Sequence, residues 1–217
     1  MRSRFDEQLA LLNKDMIEMG ALCEEIILKV LKAFIEEDTQ LFDGISSLGA
    51  EIDQKERTIE TLCLKLLLQQ QPVAKDLRQI SAALKMITDM ERIGDQAEDI
   101  AEIAPFVTNR PEAVGALLRE MAEASIKMVT ESVDAFVGQD VNLAKKVVTD
   151  DDLVDHYFIR IKQALIQEII KNPRDGECSI DLLMIAKYFE RIGDHAANIA
   201  EWVVFSVTGV HKHSYRE

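Results

Sequence analysis

The stretch MERIGDQAEDIAE, residues 90–102, decides the fold because it recurs 99 residues later as FERIGDHAANIAE, residues 189–201. Nine of these thirteen positions are identical, including the whole of Glu91–Asp95 and Glu190–Asp194. Self-similarity at a fixed offset is typical of tandem units. The chain is therefore predicted to contain two copies of one unit of about 100 residues, which is a normal domain size.

Each unit is predicted to consist of three helices. Gly (9) and Pro (4) are scarce in the 217 residues, and apolar residues recur at helical spacing. The clearest break is Asn109-Arg110-Pro111, which predicts domains at residues 1–108 and 109–217. In the first unit the predicted helices cover about 5–37, the stretch from a cap at Asp38-Thr39 to Gln71-Pro72, and the stretch from Pro72 to about 107. In the second unit they cover about 112–137, 141–171 and 180–208, and Gly209 is predicted to cap the last helix.

One side of each repeated helix is predicted to face the core. The apolar residues of this side are Met86, Met90, Ile93, Ala97, Ile100 and Ala104 in the third helix, and Ile185, Phe189, Ile192, Ala196, Ile199 and Val203 in the sixth. The opposite side of the third helix is expected to be apolar at one end, along Leu77, Ile80 and Leu84, where a second helix would cover it. Gly94 and Gly193 lie inside helices at a cost of about 1 kcal/mol each, which close helix packing explains best.

The opposite side of each repeated helix is acidic. It carries Glu91, Asp95, Glu98 and Glu102 in the third helix, with Asp99 at the edge, and Glu190, Asp194 and Glu201 in the sixth. Arg92 is expected to point well away from this stripe. Like charges four residues apart destabilise a helix by about 0.2–0.5 kcal/mol per pair. A solvated acidic face is one interpretation. The repeated Glu-x-x-x-Asp spacing favours the other, a carboxylate site for metal ions in each unit.

Facing ligands are expected from the preceding helix of each unit. Asp151 and Asp155 in the fifth helix repeat the four-residue spacing. The second helix offers Asp53 opposite the same place, but Gly49 stands where the second unit has Asp151. The first site therefore lacks one ligand or recruits Glu51 or Glu56.

The composition and the missing motifs exclude several functions. A formal net charge of -14 disfavours nucleic-acid binding. No signal peptide or membrane span is recognisable, which predicts a cytoplasmic protein. Since no nucleophile, phosphate-loop or dinucleotide motif occurs, no catalytic or organic-cofactor residue is predicted. The three cysteines, Cys23, Cys63 and Cys178, are predicted to be buried reduced thiols. His195 is expected to make a polar contact rather than a metal bond.

In both halves the chain resembles the PhoU family of phosphate-signalling proteins. Gln71–Arg78 followed by Asp89–Asp95 resembles the first-half motif of the family. Glu190–His195, Asn198–Glu201 and Gly209–His213 resemble the second-half motif. The resemblance spans nearly the whole chain, in order, in both repeats.

The resemblance implies an all-α fold of two tandem three-helix bundles related by pseudo-twofold symmetry. It also implies that each bundle holds a multinuclear cluster of iron or zinc, with manganese, magnesium or nickel as alternatives. The implied acidic motifs fall on Glu91 and Asp95, on Glu190 and Asp194, and on Asp151 and Asp155. The predicted metal ligands are Asp53, Glu91, Asp95, Asp99, Asp151, Asp155, Glu190 and Asp194.

For function, the resemblance implies a non-enzymatic negative regulator of the phosphate-starvation response. Such a protein links the ATPase subunit of a phosphate ABC transporter to a membrane sensor histidine kinase, so it meets the membrane only through its partners. A homodimer is expected from the same resemblance. The alternative from another class is a metal-dependent hydrolase that uses the same carboxylates around an activated water.

Overall fold

The computed structural model of the protein describes residues 2–36, 42–69 and 73–210. Within these ranges it contains six α-helices and no strand. The helices are α1 (Arg2–Glu36), α2 (Ile45–Gln69), α3 (Ala74–Ile103), α4 (Glu112–Gly138), α5 (Val141–Lys171) and α6 (Gly176–Thr208). Short 3-10 turns follow α3 at Ala104–Phe106 and precede α6 at Pro173–Asp175. The predicted all-α fold of two three-helix units is confirmed.

Several helix ends differ from the sequence prediction for identifiable reasons. α2 begins later than predicted, after Gly44, whose φ of 81° is incompatible with a continuing right-handed helix. α3 ends before Pro105, which has no N–H to donate to the preceding turn. α6 begins at Gly176 rather than Ile180 because the 3-10 turn leads directly into it. The predicted cap at Asp38-Thr39 and the predicted break at Gln71-Pro72 lie outside the described residues.

Two helix ends carry the caps that their sequences indicate. The carboxylate of Asp140 accepts hydrogen bonds from the backbone N–H groups of Asn142 and Leu143, which fixes the start of α5. Gly209 ends α6 in the left-handed region at φ 77°, and its N–H donates to the carbonyl of Phe205. The predicted glycine cap is therefore confirmed.

The helices α3 and α6 form the centre of the molecule, where the two units meet. Arg78 at the start of α3 donates to the carbonyl of Ser206 at the end of α6. Asn109, just beyond α3, donates to Asp175, just before α6, so the two helices run antiparallel. α1, α2 and α3 pack together, as do α4, α5 and α6, and α1 also packs on α4. The buried side chains form one continuous core that spans both units.

Burial follows the predicted core faces of α3 and α6 closely. All twelve predicted seam residues are buried, and eleven of them have no exposed surface. The opposite side of α3, expected to be apolar and covered at its N-terminal end, is only partly covered, since Ile80 is buried while Leu77 is 48% exposed. Cys23 and Cys63 are buried free thiols as predicted. Cys178 is only half-buried, because its thiol lies at the end of the bundle and donates to the carbonyl of Asn109.

Arg110 fastens the connection between the units to the end of α1. Its guanidinium donates to the carbonyls of Phe34 and Ile35 and lies 4.6 Å from the centroid of the Phe34 ring. These carbonyls belong to the last turn of α1, where no helical partner is available. No helix in the described part of the chain is long and apolar enough to cross a membrane.

Candidate metal-binding sites

The two helix glycines allow α2 and α5 to approach the repeated helices closely. A Cβ atom on Gly94 would lie 3.1 Å from Cδ1 of Ile52, and one on Gly193 would lie 3.2 Å from Cγ1 of Val154. These distances are at the tight limit of carbon contacts, so both positions favour glycine. The predicted close packing is confirmed, and it brings the acidic residues of facing helices together in both units.

In the second unit, four predicted ligands lie on the facing surfaces of α5 and α6. Oδ1 of Asp151 would be 3.2 Å from a Cβ atom on Gly193, which places this carboxylate directly against α6. Partial burial raises the pKa of Asp194, while nearby Lys187 lowers it and the carboxylate of Asp155 raises it further. Asp194 and Asp155 therefore lie within electrostatic reach of each other.

Lys187 supplies the positive charge in this part of the second unit. Its ammonium group contacts the carboxylate of Glu190, whose side chain is 13% exposed. The same ammonium lies 5.4 Å from the centroid of the Phe158 ring. A metal ion bound by Glu190 would therefore take over charge neutralisation from Lys187, whose long side chain can turn toward solvent.

In the first unit, Glu91 is the predicted ligand with the clearest set of acidic neighbours. Burial raises its pKa, and Asp95, Glu56 and Asp53 raise it further against the lowering effect of Arg92. α2 therefore contributes Asp53 and Glu56 to the surroundings of Glu91. Of the two substitutes considered for the residue missing at position 49, Glu56 lies near Glu91, whereas Glu51 is exposed to solvent.

The prediction that Arg92 points away from the acidic stripe is wrong. Its Nε lies 3.4 Å from Oε2 of Glu91, and its Nη1 lies 3.0 Å from Oδ2 of Asp95. The side chain is long enough to extend along the helix to the residue at position i+3, Asp95, although its Cα–Cβ bond points away from the acidic stripe. Arg92 thus has in the first unit the neutralising role that Lys187 has in the second.

Glu98 occupies the place that Gly49 leaves open. A Cβ atom on Gly49 would lie 2.5 Å from Cδ of Glu98, so the carboxyl group covers the bare backbone of α2. Burial raises the pKa of Glu98, as do Asp95, Asp53 and Glu102, while a hydrogen bond with Ser46 lowers it. Sequence reasoning placed Glu98 on the acidic face but missed this contact, because nothing local to either residue predicts it.

The carboxylates at the C-terminal half of α3 line a cavity of ≈ 460 Å³, and Asp95, Glu98, Asp99 and Glu102 contribute to its wall. Burial raises the pKa of Asp99, Glu102 and Asp95 raise it further, and Arg191 of α6 lowers it. Asp99 therefore lies at the junction of the two units, at the edge of the acidic surface.

His195 makes the polar contact that the sequence suggested, and its partner lies in the other unit. Nδ1 of His195 is 2.9 Å from Oδ1 of Asp89, and the amide of Asn198 donates to the same oxygen at 3.3 Å. Because Asp89 belongs to α3, this cluster joins the two units. Asp89 was not singled out from the sequence, since its partners are more than 100 residues away.

The donor chemistry of both clusters suits hard cations and iron, since every candidate ligand is a carboxylate. Among the described residues, no three His, Cys, Asp or Glu side chains converge as the ligands of a single ion would. Arg92 and Lys187 lie among the carboxylates instead. Binding of a cation therefore requires side-chain rotation on helices whose backbones already face each other. The metal assignment of the eight predicted ligands stays a prediction.

Comparisons with known proteins agree with this architecture. The family model of the PhoU domain matches the chain twice, at residues 16–104 and 118–203. The chain is 32% identical to the phosphate-specific transport system accessory protein PhoU homolog of Pseudomonas aeruginosa, over 95% of this chain and 86% of that protein. It is 35% identical to the homolog of the same name from Synechocystis, over 96% of this chain and 93% of that protein.

Solved structures show the same fold. The crystal structure of PhoU from Pseudomonas aeruginosa superposes with a TM-score of 0.89 at 32% identity, covering 95% of this chain and all of that chain (100%). The phosphate transport system regulatory protein PhoU from Streptococcus pneumoniae superposes with a TM-score of 0.88 at 26% identity, covering 95% and 98% of the two chains. With both halves matched and the six-helix architecture shared, the chain belongs to the PhoU family.

Proposed function

We propose that this protein is a non-enzymatic regulatory accessory protein of a phosphate transport system, and that divalent or iron cations bind its two acidic clusters. The observation that carries the proposal is the repetition of Glu-x-x-x-Asp against a facing acidic helix in both units of a PhoU-family fold. The curated relatives are accessory proteins of phosphate transport. The proposal extends that role to this chain.

The support for cation binding is electrostatic. Burial and neighbouring carboxylates raise the pKa of Glu91 in the first unit, and burial together with nearby Asp155 raises that of Asp194 in the second. These shifts mean that the charged forms repel one another or are poorly solvated where they stand. A bound cation would remove that unfavourable energy. The ligands would be the carboxylates of Asp53, Glu91, Asp95 and Asp99 in the first unit, and of Asp151, Asp155, Glu190 and Asp194 in the second.

The support for a regulatory rather than catalytic role comes from the relatives' names and from the chain itself. The relatives are named as accessory or regulatory proteins. We infer that the protein acts in the cytoplasm as a negative regulator, and that its partners are the transporter ATPase subunit and a sensor histidine kinase. The net charge of -14 agrees with a basic protein surface as partner and not with nucleic acid.

A complementation experiment tests the proposal. In a strain that lacks this protein, a reporter of the phosphate-starvation response should be active in phosphate-rich medium and should be silenced by the wild-type chain. The double variant Glu190→Gln/Asp194→Asn should fail to silence it at equal abundance. Asp152→Asn, an exposed charge removal on α5, is the matched control and should silence normally. Normal silencing by the double variant would contradict a regulatory role for the second cluster.

A further inference from the structure

Gly49 and Glu98 form a matched pair across the contact between α2 and α3. The three atoms of the Glu98 carboxyl group, Cδ, Oε1 and Oε2, would lie 2.5, 2.6 and 2.7 Å from a Cβ atom on Gly49. Distances this short do not occur between real side-chain atoms in van der Waals contact. Any side chain at position 49 would therefore have to displace the carboxyl group of Glu98.

The second unit shows the reverse arrangement of the same pair. The residue that corresponds to Gly49 is Asp151, in the register that pairs Asp53 with Asp155. The residue that corresponds to Glu98 is Ala197, in the register of the repeated segment. Each unit thus has one carboxylate and one small residue at these two places. The carboxylate comes from α3 in the first unit and from α5 in the second.

We propose that Glu98 is a cation ligand of the first unit and that it takes the place which Asp151 holds in the second. The inference rests on the proposed cation binding and names a ligand that the Glu-x-x-x-Asp spacing does not contain. It also removes the gap that Gly49 implied, because the missing carboxylate is supplied from the opposite helix. The first site would then have as many carboxylates at this contact as the second.

Another polar side chain on the wall of the same cavity is unsatisfied. Gln96 is 8% exposed, and its side-chain oxygen Oε1 has no hydrogen-bond partner among the described residues. It lines the same cavity of ≈ 460 Å³ as Glu98, Asp95 and Ser46. A buried amide oxygen without a donor is unfavourable. A cation in the cavity would satisfy this oxygen after the Gln96 side chain rotates to turn it toward the cavity.

The test measures Mn²⁺ binding to the full-length chain by calorimetry and by the loss of the free-ion electron paramagnetic resonance signal. The parent protein carries Glu190→Gln/Asp194→Asn, so that the first unit dominates the signal. Glu98→Gln keeps the size of the side chain and removes its charge. Gly49→Asp/Glu98→Ala copies the second unit's arrangement into the first.

The inference predicts that Glu98→Gln weakens Mn²⁺ binding roughly tenfold or more, as expected for a lost carboxylate ligand or its support. The exchange variant Gly49→Asp/Glu98→Ala should recover affinity close to that of the parent. Unchanged affinity in Glu98→Gln would overturn the inference. So would an exchange variant that melts cooperatively, shows the parent's helical circular dichroism and still binds as poorly as Glu98→Gln.

Two further measurements cover the cases in which the exchange variant does not fold or the wild-type chain binds no Mn²⁺. If the exchange variant does not fold, the reciprocal exchange Asp151→Gly/Ala197→Glu is made in the wild-type second unit, with the first unit silenced by Glu91→Gln/Asp95→Asn. Retained Mn²⁺ affinity there supports the inference, and lost affinity in a folded chain contradicts it. Absence of Mn²⁺ binding to the wild-type chain would instead contradict the proposed cation binding in both units, which is a distinguishable outcome.

Discussion

Nδ1 of His195 lies 2.9 Å from Oδ1 of Asp89, so a single carboxylate on α3 holds the central helix of the other unit. Asn198 donates to the same oxygen. Asp89→Ala removes both contacts, the one to partly buried His195 and the one to exposed Asn198. At about 0.5–1.5 kcal/mol per hydrogen bond, the free energy of unfolding should fall by about 1–2 kcal/mol.

Urea unfolding at pH 7 checks this prediction. Asp134→Ala, which removes an exposed carboxylate from α4, is the control and should change stability by less than about 0.5 kcal/mol. Equal effects of the two variants would show that the contact between Asp89 and His195 does not stabilise the junction of the units.

Packing favours glycine at position 193 but not at position 138. A Cβ atom on Gly193 would lie 3.2 Å from Val154 and from Asp151, while one on Gly138 would have no neighbour within 4 Å. Gly193→Ala gains about 1 kcal/mol of helix propensity but incurs an overpacking cost of about 1–3 kcal/mol, so it should be neutral to destabilising. Gly138→Ala should be neutral or stabilising by up to about 1 kcal/mol. Thermal unfolding distinguishes them, and equal stabilisation by both would refute close packing at Gly193.

Asp140 stabilises the start of α5 through the two backbone N–H groups that its carboxylate accepts. Asp140→Ala should lower the free energy of unfolding by about 1 kcal/mol, the usual effect of losing such a cap. Asp140→Asn keeps an acceptor in the same place and should cost only a few tenths of that amount, roughly 0.3 kcal/mol. Denaturant titrations of the three proteins provide the comparison. A loss of the same size in both variants would point to charge rather than capping.

Lys55 joins α2 to α1, with Nζ 2.6 Å from Oε2 of Glu18 and 3.2 Å from Oδ1 of Asp15. The hydrogen bond from Lys55 lowers the pKa of Glu18. A lowered carboxyl pKa stabilises the fold above the unfolded value of about 4.3, and this contribution is lost as the pH falls through the folded value. Lys55→Met should therefore lower the melting temperature at pH 7 and progressively less below about pH 4.

The matched control for this pH dependence is Lys65→Met, which removes an exposed lysine from the same helix. Its effect on the melting temperature should be small across the same pH range. A deficit of the Lys55→Met protein that stays constant from pH 7 to about pH 3 would show that the ion pair with Glu18 does not stabilise the fold.

The core faces of α3 and α6 were predictable from the sequence because burial in a helical bundle imposes a period of 3.6 residues. The same apolar pattern occurs in both units, so each unit supports the assignment of the core face in the other. The ends of the helices were less predictable than their core faces, because a single residue can determine where a helix begins or ends. Gly44 delays α2 and Pro105 ends α3, although apolar spacing alone would extend both helices.

The electrostatic details of the candidate sites could not be predicted from helical position alone. Arg92 reaches Glu91 and Asp95 because its side chain is long and flexible, so the direction of its Cα–Cβ bond does not determine where the guanidinium group lies. The position of Glu98 depends on the absence of a side chain at Gly49, a residue 49 positions away on another helix. In the sequence, this contact is indicated by the repeat, in which Gly49 corresponds to Asp151 and Glu98 corresponds to Ala197.

Metal content tests the central claim, that both acidic clusters bind cations. The wild-type chain, purified without chelator or a nickel column, is dialysed against Mn²⁺ or Fe²⁺ and its bound metal is counted by elemental analysis. Glu91→Gln/Asp95→Asn and Glu190→Gln/Asp194→Asn should each lose the metal of one unit, whereas the control Asp152→Asn should keep all of it. Wild-type protein with no bound metal, or double variants with undiminished metal, would contradict the account.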